Sequence, residues 1–221
     1  MNRATTIKLI WATPRKYLTG HNQIKRYVMD RSRDYYSKKA RREGYPARSV
    51  YKLQEIDQRY GLIKAGYTIL DLGCCPGSWL KYCAQKAGEK GLVVGVDRAK
   101  PADPLPTNTR FVLADINQLP FTELEAISEG FKLVLSDLAP ATTGVKLVDE
   151  QASLALASSA LALAQKLLLS QGNILLKVFQ GGEFPRFVTE LKPHFKQVRL
   201  IRPKAVRKES REIYVLGLGK I

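Results

Sequence analysis

The apolar positions of this chain change period along its length. Residues 1–45 show no regular spacing: basic side chains alternate irregularly with Trp11, Tyr17, Tyr27, Tyr35 and Tyr36. That pattern predicts a loosely ordered arm running into a short helix near Asp30 to Arg42. From Pro46 the period sharpens. Val50, Leu53 and Ile56 recur at helical spacing, and Gly61 supplies the stop after Tyr60. Short apolar runs then alternate with helical stretches. Strands are predicted at Thr68–Leu72, Leu92–Val96, Phe111–Leu113, Lys132–Ser136, Asn173–Val178, Gln197–Ile201 and Glu212–Leu216. Helices are predicted at Ser78–Ala87, Asp149–Leu169 and Glu183–Leu191. This alternation implies βαβ units in an α/β domain with a largely parallel sheet.

The length of 221 residues suits one such domain, at 46–221, preceded by a basic extension at 1–45. No segment reads as a membrane span. The most apolar stretch, Leu154–Leu169, is broken by Ser158, Ser159, Gln165 and Lys166. The N-terminus has no signal-peptide h-region. A transit peptide is the alternative reading of the first residues, but serine is scarce there, and an arm that contacts a polyanion explains the same side chains.

Charge narrows the class of partner. The net charge is +16, and residues 1–50 supply +10 of it with 13 basic and 3 acidic side chains. A second concentration runs from Lys192 to Arg211, where Glu209 is the lone acid. So uneven an excess points to nucleic acid, because each neutralised phosphate releases condensed counterions. The three cysteines, Cys74, Cys75 and Cys83, form no disulfide framework and suit a reducing compartment. With no CxxC pair, and His21 far from His194, no metal site is expected.

Candidate chemistry begins in the turn Ile69-Leu-Asp-Leu-Gly-Cys-Cys-Pro-Gly-Ser-Trp79, which joins a predicted strand to a helix. Gly73 and Gly77 permit close backbone approach, Pro76 stiffens the turn, and the helix N-terminus favours a carboxylate. Such a loop can cradle the amino-acid end of S-adenosylmethionine. Asp97 follows Asp71 by 26 residues at the end of the next strand, where a doubly wound fold holds a ribose diol. Asp115, after the third strand, is placed to accept from an adenine amine. A dinucleotide-binding turn requires G-x-G-x-x-G, which this loop lacks. A strand-turn-helix with no ligand is the bland alternative, and acids at successive strand ends weigh against it.

Four further segments carry ionisable groups: Lys52 in Arg48-Ser-Val-Tyr-Lys-Leu53, Asp137 in Leu135-Ser-Asp-Leu-Ala-Pro140, Lys177 in Leu175-Leu-Lys-Val-Phe-Gln-Gly181, and Glu212 in Ser210-Arg-Glu-Ile-Tyr-Val215. A lysine inside an apolar strand is costly unless it is paired or functional. A structural Lys177–Asp137 ion pair stays open beside the catalytic reading.

Together these segments resemble the FtsJ-like (RrmJ) family of RNA 2′-O-methyltransferases over roughly residues 45–221. Asp-Leu-Gly-x-x-Pro-Gly-x-Trp, Ser-Asp-x-Ala-Pro, Lys-Val-Phe-Gln-Gly and Ser-Arg-Glu-x-Tyr occur in the family's order. The resemblance implies a Rossmann-like methyltransferase fold: a mostly parallel seven-stranded sheet, helices on both faces and an antiparallel closing strand. It implies a catalytic tetrad of Lys52, Asp137, Lys177 and Glu212. Its cofactor contacts fall on Gly77, Trp79, Asp97, Asp115 and Asp137, within the wider candidate set Asp71, Gly73, Pro76 and Ser78. The implied cofactor is S-adenosyl-L-methionine. The implied substrate is a ribose, a uridine in the nearest members, in large-subunit (23S-type) ribosomal RNA or the large ribosomal subunit. A cytoplasmic monomer with no membrane partner is expected. The sequence departs from the commonest pattern at Cys74, Cys75, Ser78 and Ala141, and its first 25 or so residues extend beyond the minimal bacterial form.

In this reading Lys177 is the general base and must be neutral when it takes the proton. An apolar strand and a nearby Lys52 favour loss of its charge, and Asp137 favours retention. A charged Lys177 that only orients the hydroxyl is the alternative. Asp137 would position Lys177 and face the sulfonium, with Lys52 and Glu212 steering ribose and phosphate. Transfer RNA, a messenger cap, or a non-catalytic role in ribosome assembly are the competing functions. Removing residues 1–30 is expected to weaken RNA binding and flatten its salt dependence, with cofactor affinity little changed. RNA titrations at two salt concentrations check this, and unaltered affinity refutes the arm.

Overall fold

The computed structural model describes residues 35–101 and 103–221. The expected arm as far as residue 34, and with it the first part of the predicted helix at Asp30–Arg42, lies outside the described residues. Residues 35–42 are helical and form α1. The chain continues through α2 (Val50–Tyr60), β1 (Thr68–Leu72), α3 (Ser78–Ala87), β2 (Leu92–Asp97) and β3 (Thr109–Leu113). Then follow α4 (Phe121–Glu125), β4 (Phe131–Ser136), α5 (Lys146–Leu167), β5 (Leu168–Phe179) and α6 (Phe184–Leu191). A 3₁₀ turn at Lys192–His194 leads to β6 (Phe195–Ile201) and β7 (Glu212–Lys220).

Seven strands form one sheet in the order β3-β2-β1-β4-β5-β7-β6. β1 to β5 pair in parallel, and β7 runs antiparallel to both its neighbours. Strand direction of growth reverses between β1 and β4, so the switch point of a doubly wound sheet lies there. Alternation along each strand splits the core in two. Leu70, Leu72, Val134, Leu176 and Val178 face the layer of α4, α5 and α6. Ile69, Val93, Leu133, Leu135 and Leu175 face α2 and α3. α5 meets the sheet through Ala157, Ala160 and Ala164, whose short side chains let helix and strands approach closely.

Most element ends fall within three residues of expectation, and three departures have a clear physical cause. The helix predicted to reach Leu169 ends at Leu167, and β5 starts at Leu168 rather than Asn173. The run Leu167-Leu168-Leu169 continues a helical apolar pattern, but Leu168 is already extended (φ −78°, ψ 126°) and pairs with Phe131. β7 continues past Leu216 to Lys220. Gly217 reads as a stop, yet it is a packing requirement: a β-carbon there would lie 2.8 Å from both Ile174 and Phe195. The single-turn α4 has too few residues to show a period. Among the described residues no helix is long and apolar enough to cross a membrane.

One buried charge pins α2 to its surroundings. Gly61 caps that helix in the left-handed conformation (φ 61°), its N–H donating to the Asp57 carbonyl. The Asp57 carboxylate then accepts from the Ile63 N–H (2.8 Å) and the Tyr82 hydroxyl (2.7 Å), with Lys86 at 3.6 Å. Asp57→Ala leaves two buried donors unpaired and is expected to destabilise the fold by about 3 kcal/mol, read from urea unfolding. A loss within experimental error refutes this role.

Candidate active site

The carboxyl ends of β1, β2, β3 and β4 surround a crevice of about 540 Å³. Its lining includes Gly73, Cys75, Asp97, Asp115, Asp137 and Ala139. Asp97 closes β2, Asp137 directly follows β4, and Asp115 stands two residues past the end of β3. Gly73 is in the left-handed region (φ 77°), and a β-carbon there would lie 2.9 Å from the Leu138 side chain. The glycine is therefore needed for both conformation and clearance. Asp97 organises the turn: one carboxylate oxygen accepts from the Cys75 N–H (2.9 Å), the other from the Ala99 N–H (3.0 Å). Asp115 accepts from the Asn117 N–H at 2.9 Å and has Arg98 at 3.7 Å.

The four ionisable residues singled out by sequence come together in two linked pairs. Lys177 Nζ lies 2.9 Å from Asp137 Oδ1 and also donates to the Asp137 carbonyl. Lys52 Nζ lies 2.6 Å from Glu212 Oε1. Tyr214 joins the pairs: its hydroxyl donates to Asp137 Oδ1 at 2.7 Å, and Lys52 Nζ is 5.9 Å from its ring centre. The sheet register makes this possible, since Tyr214 is opposite Lys177 and Glu212 opposite Phe179. Lys52 and Glu212 also line a second cleft of about 440 Å³, with Arg48, Ser49, Arg207 and Ser210. Asp137 thus borders the crevice while Lys52 and Glu212 border this basic cleft.

Electrostatics set the protonation of the cluster. Burial pushes the Asp137 carboxyl up, but Lys177, Lys52 and the hydrogen bonds from Tyr214 and Lys177 outweigh it, and the net shift is downward. Asp137 is an anion. Burial pushes the Tyr214 phenol well above its ordinary value, reinforced by Asp137 and Glu212, so it remains a donor. Asp71 is the opposite case to Asp137. It is fully buried, both its carboxylate oxygens lack a hydrogen-bond partner, and burial followed by Asp137 and Asp97 pushes its carboxyl well up.

Not every sequence candidate reaches the crevice wall. The Ser78 hydroxyl is buried against residue 47, accepting from the Ala47 N–H (2.7 Å) and donating to its carbonyl (3.1 Å). The Trp79 indole N–H donates to the Ser49 carbonyl (2.9 Å), and its ring packs 6.0 Å from that of Tyr214. These two side chains fasten the segment before α2, and with it Lys52, to α3. Pro76 and Gly77 form the corner between them and the crevice, Gly77 at φ 110°. Tyr214 escaped the sequence reading, although it sits two residues after Glu212 and so shares its sheet face. The basic segment Lys192–Arg211 contains a self-folded loop. Arg202 donates to the carbonyls of Arg207 (3.0 Å), Lys208 (3.0 Å) and Ser210 (2.6 Å), and the Lys204 N–H donates to Glu55 of α2 (2.8 Å).

Fold and crevice define a Rossmann-like α/β protein of the doubly wound kind. Within that class the chain belongs to the FtsJ-like methyltransferase family, whose model matches residues 45–220, and it is a methyltransferase. The Ribosomal RNA large subunit methyltransferase E of Desulfotalea psychrophila is 45% identical over 197 residues, 86% of this chain and 97% of that protein. The protein of the same name from Desulforapulum autotrophicum is 47% identical over 188 residues, 85% of this chain and 92% of that one. Among solved structures, a Plasmodium falciparum protein assigned as a ribosomal RNA methyltransferase superposes with a TM-score of 0.71 at 29% identity. It covers 80% of this chain and 98% of its own.

The two aspartates affect stability in opposite senses. A folded pKa depressed as for Asp137 contributes stability above the unfolded value, lost as pH falls through the folded one. A folded pKa raised above 3.8, as for Asp71, detracts from stability as pH rises past that value. Asp71→Asn is therefore expected to raise the urea midpoint of the ligand-free protein at neutral pH. The advantage shrinks to nothing near pH 4. A difference that does not vary with pH overturns this assignment.

Proposed function

We propose that this chain uses S-adenosyl-L-methionine to methylate a ribose 2′-hydroxyl, of a uridine, in large-subunit ribosomal RNA. One observation carries the reading: Asp137 borders the crevice, Lys52 and Glu212 border the basic cleft, and Lys177 and Tyr214 meet on Asp137. Donor and acceptor would approach the same cluster from two sides. The relatives' names supply the ribosomal RNA target.

The crevice fits the donor. Its volume lies within the usual range for a small-molecule site, on the order of 300–1,000 Å³. Asp97 and Asp115 supply acceptors for a ribose diol and an adenine amine, and the Gly73 clearance admits an amino-acid end against backbone. When bound, S-adenosylmethionine supplies a methyl group already activated on a sulfonium. The residues must therefore place and deprotonate a weakly acidic hydroxyl. Alignment of the reacting atoms alone can be worth roughly 7–11 kcal/mol in ideal cases.

Lys177 is the general base in this reading. Its nitrogen has three substituent directions besides the side chain, and two of them meet Asp137, at Oδ1 and at the carbonyl. Paired with the Asp137 anion the resting group is an ammonium, and once it has released one proton to solvent it has two N–H groups and one lone pair. Both N–H groups point at Asp137, which turns the lone pair to the remaining direction, where the acceptor hydroxyl would lie. After transfer the ammonium is stabilised by the Asp137 anion. Tyr214 donates to the same Oδ1 and helps to fix the carboxylate. Lys52, held by Glu212, offers a cation to the acceptor's phosphate or ribose, and Arg48 and Arg207 extend the same cleft. In this reading residues 46–221 form the catalytic domain of a monomer. The extension at 1–45 and the Arg202 loop add phosphate contacts.

Lys177→Ala is expected to bind S-adenosylhomocysteine within a few-fold of the parent. Methyl transfer to under-methylated large ribosomal subunits should fall about 10²–10⁴-fold. Calorimetry and mapping of labelled methyl groups read the two effects. Full transfer by the variant refutes the base assignment, and label on a base or on another RNA refutes the target.

A further inference from the structure

The turn after β1 holds two thiols that methyl transfer does not use, beside a carboxylate that it does. The Sγ atoms of Cys74 and Cys75 and a carboxylate oxygen of Asp97 lie within 4.8 Å of one another. Two adjacent cysteines give no recognisable metal spacing in sequence. The fold supplies the third ligand by closing β2 against the turn.

The environment of the group is unusual. Cys74 is buried, and its sulfur lies above Gly95, 2.8 Å from where a β-carbon would stand. Asp71 is the register partner of Gly95, so its side chain rises from the same sheet face beside Cys74. That carboxylate is fully buried with both oxygens unpartnered. Cys75 is half-buried, lines the crevice with Asp97, and donates from Sγ to the Ala99 carbonyl at 2.7 Å.

We propose that Cys74, Cys75 and Asp97 form a binding site for a thiophilic divalent cation of the zinc class, whose occupancy excludes the methyl donor. The exclusion rests on the reading that the crevice takes that donor. Two sulfurs and one carboxylate are a zinc-type ligand set, with a fourth tetrahedral position left for water or a solute on the crevice side. Thiolates select zinc and cadmium over magnesium and calcium. Binding breaks two S–H bonds, forms two metal–sulfur bonds and releases two protons to solvent, and no electrons are exchanged. Cys75 gives up its bond to Ala99. Donor and cation compete because Asp97 can serve a ribose diol or the metal.

Cadmium chloride titration of the full chain tests the site. The expected result is one saturable equivalent, a thiolate-to-cadmium charge-transfer band and about two protons released per ion. Cys75→Ala and Cys74→Ala should each abolish saturable binding, and Cys83→Ala should leave the band intact. Circular dichroism verifies that each variant folds, and the half-buried Cys75 is the variant best tolerated. Saturating S-adenosylhomocysteine, at ten times its own Kd, should weaken apparent cadmium affinity about tenfold. A band that survives Cys75→Ala, or binding of several ions without saturation, overturns the site. Cadmium affinity unchanged by bound S-adenosylhomocysteine overturns the exclusion. If calorimetry finds no S-adenosylhomocysteine binding at all, the donor reading falls, and the cadmium titration still decides the metal site.

Discussion

The carboxylate of Asp137 stands at the end of β4 with a buried lysine and a buried phenol both on its Oδ1. Removing an anion from water is costly, and Asp137 remains ionised because two cations and two hydrogen bonds outweigh that cost. The pairing works in both directions. Lys177 is tolerable inside an apolar strand because Asp137 meets its nitrogen twice. Tyr214 is tolerable at full burial because its hydroxyl has an acceptor. Charge balance therefore holds β4, β5 and β7 in the relative positions that the proposed chemistry needs. Stability and the proposed chemistry draw on the same contacts here.

The cofactor side follows a different logic. Apart from Asp137 its acids have no lysine partner, and Asp115 has only the exposed Arg98 at 3.7 Å. Asp97 and Asp115 are committed to backbone N–H groups and give the loops their shape, while Asp71 is sealed beneath the turn with nothing to bond. A crevice bordered by acids, two of them with spare lone pairs, suits a ligand that carries an ammonium, a sulfonium and hydroxyl groups. The basic cleft lies beyond Lys52 and Glu212. In the proposed function the acid-bordered crevice and the cleft carrying Arg48, Lys52 and Arg207 meet at one cluster, each facing a partner of opposite charge.

Much of this was legible in the residue pattern. α2, β1 and α3 begin and end where apolar spacing and glycine stops place them, because each is flanked by an unambiguous break. The end of α5 was not legible. Leu167 to Leu169 satisfy a helix and a buried strand equally, and only pairing with Phe131 decides between them. Gly217 misled because clearance against Phe195 is a tertiary fact. In the site, Lys52, Asp137, Lys177 and Glu212 could be chosen by type and motif. Tyr214 was missed because a tyrosine in a β-rich run ordinarily reads as core. Ser78 and Trp79 were linked to the cofactor by motif, yet their side chains bond to residues 47 and 49, an arrangement no local spacing reveals.

The place of β7 has a consequence for how the molecule is built. β6 precedes β7 in the chain, but its sheet neighbour is β7, which lies between it and β5. A nascent chain that has made β6 offers it no strand to join. Completion waits for β7 to enter the gap and pair on both sides at once. That same insertion delivers Glu212 and Tyr214 to Lys52, Lys177 and Asp137. Because side chains alternate across a strand, an entry shifted by one residue would turn both away from the cluster. The topology thereby ties competence to a finished sheet: a partly folded intermediate would hold an open crevice and a basic surface, with no assembled cluster between them.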